Sequence, residues 1–124
     1  MSKAMVIDDS RSTRMILGRM LTELGYQVFQ AANGEEALTV ADEAGEQLSL
    51  VLVDWNMPEM NGLEFIKRFR IKSRYWSVPV VMVTTEREIE QMVLALDAGA
   101  NEYVMKPFTK EVIVDKLRLV GAIA

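Results

Sequence analysis

The stretch LVLVDWNMPEMNG (residues 50–62) decides the fold, because its two halves have opposite character. Four apolar residues without polar alternation precede Asp54, which is typical of a strand buried on both faces of a parallel sheet. Asn, Pro and Gly then turn the chain into a loop. Asp54 is therefore predicted where a buried strand leaves the core, at the edge where open α/β sheets carry their binding sites.

Similar apolar runs alternate with helical patterns on both sides of this stretch. The runs predict strands at KAMVI (3–7), QVFQA (27–31), LSLVLVD (48–54), VPVVMVT (78–84) and EYVM (102–105). Helical periodicity predicts helices over 10–25, 35–45, 63–71, 88–99 and 109–120. Repeated βα units of this length predict one α/β domain over residues 1–124, a doubly wound parallel sheet with helices on both faces.

Composition excludes several kinds of chemistry. The 124 residues include neither Cys nor His, which excludes disulfides, thiolate or imidazole metal ligands and His-dependent nucleophiles. The 18 acidic and 14 basic residues give a net charge of −4, which disfavours nucleic acid as a partner. The N-terminal MSKAMVIDDS meets charge after a few apolar residues, so we expect a cytoplasmic chain with no signal peptide, membrane anchor or membrane partner.

Polar side chains follow four of the predicted strands. Asp8 and Asp9 come after the first, Asp54 after the third, Thr84 ends the fourth and Lys106 follows the fifth. If the strand order is 2-1-3-4-5, the first and third strands are neighbours and the three carboxylates converge. Such a cluster requires raised pKa values or a divalent cation, and an all-oxygen site suits Mg²⁺. One carboxylate can then attack phosphorus while Lys106 offsets negative charge.

The segments VIDDS, LVDWNMPEMNG, PVVMVTTE and AGANEYVMKPF occur in this order, and together they resemble the receiver domain of two-component response regulators. The single-domain chemotaxis receivers are the nearest likeness, and the resemblance covers essentially the whole chain. It implies a flavodoxin-like sheet of five parallel strands in order 2-1-3-4-5. It also implies a protein that is activated by phosphorylation and catalyses only its own phosphorylation and dephosphorylation, so that it is not an enzyme acting on a separate substrate.

The resemblance also implies partners and a phosphoryl acceptor. The donor would be a histidine kinase or a phosphotransfer protein, and Asp54 would accept the phosphoryl group. Asp8 and Asp9 would hold Mg²⁺ together with Asp54, and the backbone carbonyl of Asn56 would supply another ligand. A downstream protein would bind the surface formed by the fourth helix, the fifth strand and the last helix.

Further residues take switching roles by resemblance. Thr84 would donate a hydrogen bond to a phosphoryl oxygen, and Lys106 would pair with the phosphoryl group. Tyr103 would be the aromatic switch, with a ring that turns inward on phosphorylation. The Lys106-Pro107 peptide bond would be cis.

Two other interpretations remain open at this point. The chain could be a receiver excised from a larger regulator, or a free-standing aspartyl-phosphate phosphatase. A flavodoxin-like nucleotide binder is disfavoured, because the first strand is followed by the anionic DDSRS instead of a glycine-rich phosphate loop.

Several residues have an ordinary structural interpretation. Thr85 and Thr109 are predicted as caps of the last two helices. Trp55 is predicted beside the site instead of in the core, and Trp76 is predicted as a packing residue. Three methionines are predicted as exposed to partners: Met57, Met60 and Met92.

Overall fold

The five apolar runs form five parallel strands in the computed structural model, which describes residues 2–124. The strands are β1 (Lys3–Ile7), β2 (Gln27–Ala31), β3 (Leu48–Val53), β4 (Val80–Thr84) and β5 (Glu102–Met105). They pair in the order β2-β1-β3-β4-β5, and every pairing is parallel. The predicted doubly wound α/β sheet is therefore confirmed.

Within residues 2–124, five α-helices follow the strands and cover the sheet. They are α1 (Arg11–Glu23), α2 (Gly34–Ala44), α3 (Gly62–Phe69), α4 (Ile89–Ala98) and α5 (Lys110–Leu119). Four begin at a side chain that accepts a hydrogen bond from a backbone N–H three residues later, which satisfies a donor that the first turn leaves free. These caps are Ser10, Asn33, Asn61 and the predicted Thr109.

The fourth helix departs from this pattern, and the prediction that Thr85 caps it is wrong. The residue that precedes α4 is Glu88, whose side chain makes no capping hydrogen bond. Residues 85–88 instead form a loop that is attached to β5, because the carbonyl of Glu86 accepts a hydrogen bond from the Tyr103 hydroxyl. The loop thus separates Thr85 from the first turn of α4.

The core lies in two layers, one on each face of the sheet. Successive residues of β1 point to opposite layers, with Met5 and Ile7 on one side and Ala4 and Val6 on the other. Buried residues of α2, α3 and α4 pack in the first layer, and buried residues of α1 and α5 pack in the second. Since β1 and β3 are covered on both faces, their neighbouring carboxyl ends lie at fixed positions at one edge of the sheet.

Trp76 is not the packing residue that the sequence predicted, because 68% of it is exposed. Its neighbour Tyr75 fills the core position instead, with its ring stacked on Phe69 at 4.3 Å between centroids. The Trp76 indole N–H donates to the backbone carbonyl of Arg70 at 2.8 Å. The polar atom of Trp76 is therefore satisfied at the surface.

Two further placements differ from the sequence prediction. Met60 is buried against α2, where its side chain lies over Gly34, so it is not exposed to partners. Trp55 borders the site but is also buried in the core, because its ring packs with the first layer. Within residues 2–124, no helix is long and apolar enough to cross a membrane.

Candidate functional site

Three carboxylates meet at the carboxyl ends of β1 and β3. The parallel register pairs Ile7 with Val53, so Asp8 and Asp54 leave neighbouring strands at the same level. Asp54 N–H also donates to the Ile7 carbonyl at 3.0 Å. Oxygens of Asp8, Asp9 and Asp54 all lie within 4.8 Å of one another, and Asp8 and Asp54 are buried. The structure thus brings together the three carboxylates that the sequence singled out.

The ammonium group of Lys106 lies between two of these carboxylates. Its Nζ donates to Asp8 Oδ2 at 2.7 Å and to Asp54 Oδ2 at 3.2 Å. Burial lowers the pKa of Lys106, but its hydrogen bond to the Asp8 carboxylate and the charge of Asp54 outweigh this effect, so the net pKa is raised. Lys106 is thus a permanent cation in this site at neutral pH. The Lys106-Pro107 bond is cis, as the resemblance implied.

One ammonium group does not balance three carboxylates. Burial raises the pKa of Asp8, and the charge of Asp54 adds to this, although hydrogen bonds from Lys106 and from the Ser10 N–H act in the opposite direction. Ionisation of Asp8 is therefore less favourable than that of an exposed aspartate, and added positive charge would favour it. An all-oxygen donor set with excess negative charge fits Mg²⁺, which accepts carboxylates and backbone carbonyls. Asp9 and Asn56 line an open cleft beside this cluster.

Thr84 and Tyr103 come from the neighbouring strands β4 and β5, and both contact the backbone of Glu86. Thr84 ends β4 with no exposed surface, and its Oγ1 accepts a hydrogen bond from Glu86 N–H at 3.3 Å. The Tyr103 hydroxyl donates to the carbonyl of Glu86 at 2.9 Å. Burial, followed by the charges of Glu86 and Asp54, raises the pKa of Tyr103 to about 12, so the hydroxyl keeps its proton. In this structure the Tyr103 ring already lies inward, with 7% exposed.

The loop between β3 and α3 holds the Asp54 backbone in place. Gly62 N–H donates to the carbonyl of Trp55 at 2.8 Å, which folds the loop back onto the end of β3. A Cβ at Gly62 would overlap the carbonyl oxygen of Asp54, so this close approach requires glycine. Glu59 adopts a φ of 67° within the same loop, an uncommon conformation for a residue other than glycine.

Comparison with known proteins identifies the family of this chain. The sequence profile described as the response regulator receiver domain matches residues 4–118. The chain belongs to this receiver domain family. It is 43% identical over 119 residues to the chemotaxis protein CheY1 of Helicobacter pylori, which covers 95% of each chain. It is also 43% identical over 116 residues to the chemotaxis protein CheY homolog of Campylobacter jejuni, covering 93% of this chain and 88% of the relative.

Solved structures show the same fold for this receiver domain. The chemotaxis protein CheY4 of Vibrio cholerae superposes with a TM-score of 0.89 at 38% identity, over 97% of this chain and 98% of the other. The family and the flavodoxin-like fold implied by the sequence are therefore confirmed. Receiver domains act in two-component signalling between histidine kinases and downstream targets, and magnesium binding is a general property of the family.

The receiver domain also uses residues that sequence reasoning did not single out. Arg14 Nη1 donates to the Asp8 carbonyl at 2.6 Å, which fixes the end of β1 from within α1. Its position one turn after the Ser10 cap is a signal that helical spacing could have revealed. Arg87 Nη2 donates to the Lys106 carbonyl at 3.0 Å across two loops. No local sequence pattern predicts that contact, because it depends on how the loops after β4 and β5 approach each other.

Proposed function

We propose that this receiver domain is a phosphorylation-controlled switch in which Asp54 accepts a phosphoryl group from a histidine kinase or a phosphotransfer protein. One observation carries this proposal: Lys106 Nζ lies 3.2 Å from Asp54 Oδ2 and 2.7 Å from Asp8 Oδ2, within a cluster of three carboxylates at the ends of β1 and β3. This arrangement places the buried carboxylate of Asp54, as nucleophile, beside the Lys106 ammonium group, whose positive charge can offset the negative charge of a phosphoryl group.

The transfer step uses a carboxylate oxygen of Asp54 as the nucleophile. As the new O–P bond forms, the P–N bond to the donor imidazole breaks and the imidazole leaves with its electron pair. Lys106 offsets negative charge on the phosphoryl oxygens from its position between Asp54 and Asp8. Because Thr84 Oγ1 accepts from Glu86 N–H, its own hydroxyl proton is available to a phosphoryl oxygen.

The same residues provide a metal site. Asp8, Asp9 and Asp54, with the backbone carbonyl of Asn56, would hold Mg²⁺, which when bound supplies further positive charge to the phosphoryl oxygens. The chain itself prepares this site, since the Ser10 N–H holds Asp8 Oδ1 at 2.8 Å. Hydrolysis of the acyl phosphate then restores Asp54, so the chain catalyses its own phosphorylation and dephosphorylation and no reaction of a separate substrate.

The output of the switch is a protein-binding surface formed by α4, β5 and α5. Ile89 and Val93 are exposed at 75% and 50% on α4, and Lys116 of α5 pairs with Glu102 of β5 at 3.0 Å. Phosphorylation of Asp54 would draw Thr84 toward the phosphoryl group and alter the Glu86 contacts that Tyr103 uses. The relatives named above are chemotaxis proteins, and we extend that role to this chain as a single cytoplasmic domain over residues 1–124.

Intact mass spectrometry tests the proposal. Wild type incubated with acetyl phosphate and Mg²⁺ should gain a phosphoryl adduct, and Asp54→Asn should not. Asp97→Asn removes an exposed carboxylate of α4 and is the matched control, which should label like wild type. The proposal fails if Asp54→Asn acquires the adduct, or if wild type labels to the same extent in excess EDTA.

A further inference from the structure

A strongly basic segment lies far from the carboxylates. The sequence KRFRIKSRYW (67–76) places five of the 14 basic residues within eight positions, although the chain has a net charge of −4. The helix α3 begins at Gly62 beside Asp54 and ends at Phe69, so the segment emerges at the opposite edge of the sheet, before β4 begins. This position separates it from the proposed phosphorylation site, while Arg70 joins it to the end of α4 through the Gly99 carbonyl.

Local carboxylates neutralise only part of this charge. Glu64 pairs with Arg68 at 3.1 Å. Asp42 is shared by Arg74 and by Lys72, whose Nζ lies 3.0 Å from Asp42 Oδ1. Lys67 has no carboxylate within 4.0 Å among residues 2–124. The helix C-terminus favours cations in its last turn, but Lys72 and Arg74 follow the helix and are not explained in that way.

Two apolar side chains are exposed among these cations. Ile71 is 76% exposed and Trp76 is 68% exposed. Since the Trp76 indole N–H donates to the Arg70 carbonyl, the one polar atom of the indole is satisfied within the chain. The surface that Trp76 offers to a partner is therefore apolar, and its indole lies against Arg70, next to Ile71 in the sequence.

The segment is held rigidly in this arrangement. The Tyr75 hydroxyl donates to Asp42 Oδ1 at 2.8 Å, and the Tyr75 ring is stacked on Phe69. The Arg70 guanidinium donates hydrogen bonds to backbone carbonyls. Its Nη1 lies 2.6 Å from the Tyr75 carbonyl, and its Nη2 lies 2.7 Å from the Gly99 carbonyl. A surface ordered before binding loses little conformational entropy when a partner docks.

We propose that Lys67, Ile71, Lys72, Arg74 and Trp76 form a basic–aromatic patch that docks an acidic protein segment carrying an apolar side chain. Carboxylates of the partner would face the cations that local acids leave unbalanced. The apolar side chain of the partner would cover Trp76 and Ile71, and Trp is a residue type enriched at the energetic centres of protein interfaces. Because the patch lies at the opposite sheet edge from Asp54, docking should not depend on phosphorylation.

Net charge favours a narrow protein segment over a membrane surface. At physiological salt, exposed charges interact over about 8 Å, so a narrow peptide experiences the patch alone. An extended anionic bilayer would face a wider part of the protein surface. Because the chain has a net charge of −4, the surface outside the patch would repel it.

NMR titration of the full chain tests this proposal, with a synthetic nine-residue peptide of alternating Asp and Leu and blocked termini as the probe. Saturable amide and indole shifts should cluster at residues 67–76. Affinity should fall about tenfold in Trp76→Ala and in the double variant Lys67→Glu, Lys72→Glu. The matched control is Arg11→Glu, Arg19→Glu, which reverses two exposed cations of α1 and should bind like wild type. Activation by beryllofluoride should leave the affinity unchanged.

Several results would overturn the proposal. These are the absence of saturable shifts at peptide concentrations of about 1 mM, shifts centred outside the patch, or equal binding of a peptide with Asn in place of Asp. Vesicles of phosphatidylglycerol that retain wild type but not Trp76→Ala, without any response to the peptide, would identify a membrane surface instead. Self-association that Trp76→Ala abolishes would identify a second copy of this chain as the occupant. Amide spectra that match wild type away from residue 76 establish that the variants are folded.

Discussion

At the scale of single residues, the candidate site concentrates three carboxylates around one ammonium group. Asp8, Asp9 and Asp54 repel one another, and Lys106 compensates only part of their charge. Asp9 is the exposed member of the three, so its replacement creates no cavity. Electrostatic effects at this position can therefore be measured without packing effects.

Removal of one carboxylate should change how the protein responds to metal. In EDTA, Asp9→Asn should be at least as stable as wild type, because one repulsive charge is gone. Mg²⁺ at ten times its dissociation constant should add about 1.4 kcal/mol to the free energy of unfolding of wild type, and much less to that of the variant. Thermal unfolding with and without Mg²⁺ measures both effects. An equal Mg²⁺ increment in the two proteins would show that Asp9 is not a ligand.

The Tyr103 hydroxyl should give stability a specific pH dependence. Its pKa is raised from 10.0 to about 12 on folding, so its contribution is complete below pH 10 and is lost as pH rises toward 12. The difference in free energy of unfolding between wild type and Tyr103→Phe should stay constant up to pH 9 and then decrease by about 1 kcal/mol. Urea denaturation at a series of pH values measures it. A difference that stays constant up to pH 11 would mean that the buried hydroxyl is not held as a donor.

At the scale of elements, two helical glycines have opposite roles. A Cβ at Gly62 would overlap the Asp54 carbonyl, whereas a Cβ at Gly18 of α1 would meet its nearest atoms at 3.6 Å, an ordinary contact. Gly62→Ala should therefore lower the free energy of unfolding by about 2 kcal/mol and impair phosphorylation, because the loop must shift. Gly18→Ala should raise it by about 0.5 kcal/mol. Denaturant unfolding of both variants makes the comparison, and similar effects would refute the steric explanation.

The loop before α4 is the element through which we propose that the site acts on the binding surface. Thr84 and Tyr103 contact the N–H and the carbonyl of the same residue, Glu86. Beryllofluoride should shift the amide resonances of α4 in wild type. Thr84→Ala should reduce this shift, because the variant lacks the hydroxyl that would move toward the phosphoryl group. Val83→Ala, a truncation on the same strand, is the matched control. Undiminished α4 shifts in Thr84→Ala would remove Thr84 from the coupling.

At the scale of the whole molecule, the sequence predicts where the three carboxylates meet, because a parallel sheet collects strand ends at one edge. Asp8 and Asp54 could be placed together once β1 and β3 were taken as neighbours, since register follows from buried apolar runs. Trp76 could not be placed, because its exposure depends on Tyr75 occupying the core beside Phe69. The same limit applies to Arg87, whose partner lies on a loop that is distant in sequence.

The two proposed binding regions lie apart on the molecule. The carboxylates lie at one edge of the sheet, and the basic–aromatic patch lies at the other. The proposed acceptor Asp54 and the proposed switch residues lie in the first region, so variants of the patch can be studied separately from them. The identity of the acceptor is the claim on which the signalling role depends.

The most direct measurement of that claim is borohydride reduction of the phosphorylated protein followed by peptide mapping. Hydride reduces an aspartyl phosphate to homoserine and releases phosphate, so the product marks the residue that carried the phosphoryl group. After treatment with acetyl phosphate and Mg²⁺, homoserine should appear at position 54, and Asp54→Asn should yield none. Homoserine at Asp8, Asp9 or any other aspartate of the wild type, with Asp54 unchanged, would contradict the account.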